Sequence, residues 1–213
     1  MSFIISAPST ERRSFKPVPA GTHVAICTML VDVGMQPAFE VGKPPQHKIY
    51  VGFDVPGERI SMTDADGNPT DGPAKIGSFY TLSLHEKAKL RAVLESWRGK
   101  AFSDADAKNF DVASILGKAC MLSVAHRVNG DRTYANIMGV MALPKGVPAP
   151  TLEGAILMFP DANDPTALDR VPEFLRKKID EQIRSTPAVA RPAPARQTAA
   201  PQPVEEFADD VPF

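Results

Sequence analysis

Residues 47 to 55 alternate without a break: Ile49, Val51, Phe53 and Val55 share one face, and Lys48, Tyr50, Gly52 and Asp54 share the other. A period of two with apolar residues on one side describes a strand with one buried face. A strand cannot bury that face alone, so the chain must supply further strands and a layer to pack on them. The first is read in residues 23 to 33, His-Val-Ala-Ile-Cys-Thr-Met-Leu-Val-Asp-Val, ended by Gly34. Residues 34 to 46, with Gly34, Pro37, Gly42, Pro44 and Pro45, read as a long loop before the alternating segment. An acidic, Gly/Pro-rich connection leads to a third strand around Ser78 to Leu82. Residues 118 to 128 and 132 to 143 form two more, joined through Asn129-Gly130-Asp131, a strong hairpin signal.

Between the third and fourth strands the period changes. Ser83 with Glu86 is a capping-box pattern, and Leu90, Val93, Leu94 and Trp97 recur at helical spacing, which predicts a helix over 84–97 stopped by Gly99. Trp97 lies on the apolar stripe and is read as core. A short helical turn is expected at 111 to 116. Strand, strand, strand, helix, strand, strand is the element order of a five-stranded OB-type barrel, whose second and third strands and flanking loops bind oligonucleotides or oligosaccharides. Other small barrels and α+β sheets share the order. The expected fold is therefore mainly β, with an appended C-terminal helix: Pro172 opens a segment in which Leu175, Ile179 and Ile183 repeat at fourfold spacing. That helix must pack on the barrel or on a second subunit, which would make a homodimer.

Proline marks the end of the folded body. The chain has 21 prolines in 213 residues, about twice the usual share, and five of them fall in residues 185–204 with six alanines and no aromatic residue or leucine. Such a segment buries too little apolar surface to offset its ordering entropy and is expected to be a disordered tether. The expected organisation is an N-terminal arm (1–18), an OB-fold domain (19–145), an appended helical segment (146–184), a disordered Pro/Ala-rich tether (185–204) and an acidic tip (205–213). The tip carries net −4 from Glu205, Glu206, Asp209 and Asp210. By contrast, residues 75 to 100 hold net +4, which charge alone does not separate from a solvated helix face.

Several chemistries find no support. Cys27 and Cys120 stand far apart, with no disulfide framework and no CxxC pair, and read as buried residues of a cytosolic protein. His23, His47, His85 and His126 show no metal-ligand spacing with either cysteine. Asp64-Ala65-Asp66-Gly67-Asn68 resembles the start of a calcium loop, but Pro69 stands where glycine is required and Lys75 where glutamate is, so a polar turn is expected. No Walker loop, GxSxG or GxGxxG is present, so neither catalysis nor a cofactor is expected. No apolar run reaches the ~18 residues of a membrane span, and no membrane association is expected.

The terminus reads Val204-Glu205-Glu206-Phe207-Ala208-Asp209-Asp210-Val211-Pro212-Phe213. Acids ending in Asp-Asp-aliphatic-Pro-Phe on a Pro-rich tether resemble the C-terminal tip of bacterial single-stranded DNA-binding proteins. The body is similar to phage-encoded OB-fold single-stranded DNA-binding proteins in Pro19-Ala20-Gly21-Thr22-His23-Val24-Ala25, Tyr80-Thr81-Leu82-Ser83-Leu84-His85-Glu86-Lys87-Ala88, Leu94-Glu95-Ser96-Trp97-Arg98-Gly99 and Tyr134-Ala135-Asn136-Ile137. The resemblance implies a non-enzymatic protein of the host-cell cytoplasm that coats single-stranded DNA during phage replication and recombination. It also implies that Asp209, Asp210, Val211, Pro212 and Phe213 recruit replication, recombination and repair enzymes. An RNA-binding or general OB interaction module is the alternative.

Strand alternation in such a barrel nominates a DNA-binding face. Lys48 and Tyr50 oppose the buried set of the second strand, Arg127 that of the fourth and Tyr134 that of the fifth, with Arg132 beside the hairpin turn. Aromatic rings for base stacking and cations for phosphates are what a sequence-independent single-strand binder needs. Each tyrosine has a second reading, as ordinary barrel packing. Phe39, Lys43 and Lys75 are expected on flexible connections flanking this face, and Arg12, Arg13 and Lys16 form a basic arm.

Overall fold

The computed structural model describes residues 17–38, 42–63 and 69–182. Five main strands, β1 (Gly21–Gln36), β2 (Gln46–Thr63), β3 (Pro69–Thr81), β4 (Ala119–Asn129) and β5 (Arg132–Met141), are joined by a short β6 (Leu157–Phe159). The helices are α1 (Lys89–Arg98), α2 (Asp104–Asn109) and α3 (Glu173–Asp180), with 3-10 turns at Val112–Ile115 and Pro165–Arg170. Strand order is β3-β2-β1-β4-β5 with antiparallel neighbours. β4 borders β1 from Gly21 to Ile26, and β6 lies parallel to Met29–Val31. Among the described residues β3 and β5 approach each other without sharing a ladder, so the sheet is not closed into a barrel.

The strands are longer than their sequence signals, and three expectations change. The connection after the second strand is not a loop: β2 runs to Thr63 and β3 starts at Pro69, paired from Arg59↔Pro73 to Thr63↔Pro69. Pro56, Gly57 and Glu58 are absorbed where the register shifts between Val55 and Arg59, because a bulge takes residues a regular ladder rejects. Gly34 does not end the first strand either. With φ 71° it sits where the register shifts between Asp32 and Met35, and its amide donates to Asp32 Oδ1 at 2.8 Å. The third correction is the helix start. Ser83 Oγ accepts from the His85 amide and makes a turn, and α1 begins only at Lys89 after Ala88, whose side chain caps nothing. Gly99 does end it, with φ 65°.

Two apolar clusters lie on opposite faces of the sheet. The inner one gathers Cys27, Val51, Phe53, Val55, Ile76, Tyr80, Leu122 and Val124 from the strands with Leu90, Leu94 and Trp97 of α1. Trp97 is buried, and its Nε1 donates to the Ala119 carbonyl at 3.0 Å. Cys27 and Cys120 are buried free thiols, and desolvation pushes that of Cys27 up to about 12.

The outer cluster consists of Val31 and Val33 of β1 against Phe159, Ala162, Val171, Leu175 and Ile179. The appended segment thus lays β6, the second 3-10 turn and α3 over the outer face of β1. Leu175 and Ile179, four residues apart, are the fully buried residues of α3. Here the alternation of β2 misled: Gly52 and Asp54, on its expected open face, are buried too. Asp54 is 3 % exposed and is satisfied by Thr28 Oγ1 at 2.9 Å and Lys75 Nζ at 2.8 Å.

Candidate nucleic-acid interface

The nominated residues fall into separate groups. The first is on the outer face of the β2–β3 pair, whose registered rows run Lys48↔Thr81, Tyr50↔Phe79, Gly52↔Gly77 and Asp54↔Lys75. Lys48 Nζ lies 3.5 Å from the Pro37 carbonyl and has no carboxylate partner among the described residues. Lys75 is on strand β3, not on a flexible connection, and is held by both oxygens of Asp54 at 2.8 and 2.9 Å. A buried carboxylate keeps that ammonium from a phosphate, because releasing it would strand an uncompensated charge.

Tyr50 is half-buried and lies across the sheet. A Cβ on Gly77 would overlap Tyr50 Cζ and Oη, and one on Gly52 would come 3.1 Å from its Cε1, so the ring occupies room that two glycines leave. The Phe79 ring meets it edge-on at 5.1 Å and 62°, and the Phe174 ring from α3 at 5.5 Å and 76°. Burial raises its hydroxyl to about 12. The rings that open to solvent are the flanking ones, Phe79 at 39 % and Phe174 at 51 % exposure. Sequence reasoning passed over both. The alternation that placed Tyr50 also places Phe79, two residues from Gly77 on the same face of β3, and was the available signal. Phe174 had none, because its place on this face depends on where α3 docks.

The second group is the β4–β5 hairpin, turned through Gly130 at φ 60°. From His126 to Tyr134 every residue is exposed, so this ladder stands clear of the core on both faces. Arg127 and Tyr134 are directly opposite, and Arg132 pairs with Asn129 at the turn. Neither arginine has an acidic partner among the described residues, and Tyr134 is 45 % exposed. At the hairpin base, His126 Nε2 contacts the Val18 carbonyl at 2.8 Å, which ties residues 17–20 to this end of the molecule.

The two groups are not one patch. Tyr50 is registered with Val31, ten residues along β1 from Gly21, which is registered with Val124, three residues before Arg127. At ~3.3 Å per residue that is a strand path of about 40 Å. Lys43 is exposed in the β1–β2 connection. Phe39, Arg12, Arg13 and Lys16, the tip residues Asp209 to Phe213 and the Asp64–Asn68 turn lie outside the described residues.

The cations of residues 75 to 100 are largely engaged within the fold. Lys89 Nζ lies 5.8 Å from the centre of the Tyr80 ring, and the Arg98 guanidinium 4.3 Å from that of Phe102. Arg91 bonds Glu95 and the carbonyls of Leu84 and Phe102. The Phe102 amide and Arg91 together hold the Glu95 carboxyl below the usual range. Among the described residues no group of three or more His, Cys, Asp or Glu is placed to hold a metal ion, and no helix is long and apolar enough to cross a membrane. No protein-family model matches the chain, and no curated protein matches it either.

Proposed function

We propose that this chain is a non-enzymatic, phage-encoded single-stranded DNA-binding protein that coats exposed strand in replication and recombination and recruits enzymes through its acidic tip. The observation that carries the reading is the projecting hairpin. Arg127 and Tyr134 face each other across its two strands with no acidic partner among the described residues, so one face offers a ring for a base and a cation for the adjoining phosphate. The strand order supports an OB assignment, since an OB barrel is itself partly open and carries its helix between the third and fourth strands. The Pro-rich tether and terminal Pro-Phe support recruitment, because a tethered motif raises the local concentration of whatever it binds.

The test is a binding titration of single- and double-stranded DNA of equal length at two salt concentrations, with RNA of the same sequence as competitor. Single-stranded DNA should bind more tightly than duplex and outcompete RNA. Arg127→Ala should flatten the salt dependence by about one charge, and Tyr134→Ala should cost about 1–3 kcal/mol at unchanged slope. Equal affinity for duplex, or effective competition by RNA, would refute the assignment.

A further inference from the structure

The outer face of β2–β3 carries an arrangement that packing alone does not require. Three rings stand in a row, Phe79 of β3, Tyr50 of β2 and Phe174 of α3, with centroid spacings of 5.1 and 5.5 Å. The middle ring is immobilised in the glycine trough of Gly52 and Gly77. The outer two, which would gain most by being covered, are left at 39 % and 51 % exposure. Cations border the row. Lys48 precedes Tyr50 by two residues on the same strand face, and Lys178 is one helical turn beyond Phe174 on the same flank of α3. Lys178 meets Glu181, an exposed pair of low worth that a phosphate can replace.

We infer that Phe79 and Phe174 are base-stacking platforms for single-stranded nucleic acid, with Tyr50 as the rigid spine that spaces them, so that the appended helix α3 forms part of the binding surface. The inference rests on the single-strand-binding reading above but moves the stacking role on this face from Tyr50 to its neighbours. Bases fit because every base has a π face, so exposed phenyl rings accept them without regard to sequence, and Lys48 and Lys178 are available to the flanking phosphates. With Phe174 supplied by α3, this surface exists only while the C-terminal segment is docked.

The test uses the full chain and a fluorescent oligothymidylate, with Phe79→Ala, Phe174→Ala, the apolar but non-aromatic Phe79→Leu and Phe174→Leu, and the reporters Phe79→Trp and Phe174→Trp. Each Ala or Leu variant should lose about 5- to 150-fold in affinity with an unchanged salt slope, because stacking is removed and phosphate contacts are not. The introduced tryptophans should keep affinity and be quenched on binding, whereas buried Trp97 in the parent chain should not respond. Wild-type affinity in the Leu variants, or unquenched reporters on a chain that binds, would overturn the inference and leave the single-strand reading intact. Loss of self-association at unchanged DNA affinity would assign the row to a second copy of the chain and overturn it as well. No binding of single strands by the parent chain would overturn both.

Discussion

Gly77→Ala isolates the packing that holds the middle ring. Gly77 has an ordinary backbone conformation, so the substitution adds a methyl group and little else. That methyl falls on Tyr50 Cζ and Oη and 2.7 Å from the Val51 carbonyl oxygen. Phe79 and Phe174 flank the ring and Gly52 lies against it, so the ring cannot shift without disturbing these contacts. Overpacking of this kind costs ~1–3 kcal/mol, and displacing Tyr50 forfeits two edge-to-face pairs of ~0.5–1.5 kcal/mol each. The expected destabilisation is therefore about 2–6 kcal/mol. Removing the ring first should relieve most of this, leaving only the carbonyl contact, so Gly77→Ala should cost at least ~1 kcal/mol less in a Tyr50→Ala background than in the parent. Urea unfolding followed by Trp97 fluorescence measures all four corners of the cycle, because Trp97 is the only tryptophan and is buried against Phe53 at 5.7 Å. Additivity within ~0.5 kcal/mol would refute the glycine-trough account.

Leu175→Ala, at 0 % exposure on the buried side of α3, should destabilise by ~2–5 kcal/mol and make the segment after β6 newly sensitive to limited proteolysis; an unchanged urea midpoint would mean that α3 does not seal the outer face. Alkaline titration should weaken the fold: the Cys27 thiol and Tyr50 phenol are raised to about 12 from 9.0 and 10.0, so their neutral forms stabilise the fold below pH 9, and this contribution is lost as pH rises from 9 to about 12. Cys27→Ala and Tyr50→Phe should each make that fall shallower in urea titrations at stepped pH. On the proposed reading the tip, at net −4, should compete with DNA as a tethered polyanion, so deleting residues 205–213 should strengthen single-strand binding modestly and most visibly at low salt. Deleting Phe213 alone should leave DNA affinity nearly unchanged while abolishing enzyme capture in pull-downs, and retained capture would refute the tip's role.

What the amino-acid order determined by itself is what depends on neighbours a few residues away. The two-residue period of Ile49, Val51, Phe53 and Val55 put these four in the core at 4 % exposure or less, and Gly130 turned the β4–β5 hairpin where Asn129-Gly130-Asp131 indicated. The Leu90, Leu94 and Trp97 stripe and the Gly99 stop of α1 were equally local, as was the Ser103–Asp106 capping box of α2, which was there to be read and was missed. Tertiary structure decided the rest, because pairing energy and coverage come from residues distant in sequence. Partner strands carried β2 and β3 through Pro56 and Gly57, where local propensity predicted a loop. Lys75 met Asp54 across the ladder and left the set of free cations. Above all, an alternating strand specifies two faces but not what will cover the second one. Residues more than a hundred positions away folded back over β1 and brought Phe174 against Tyr50 opposite Phe79, leaving those two phenyl rings, with the distant Tyr134, as the open aromatic surfaces among the described residues.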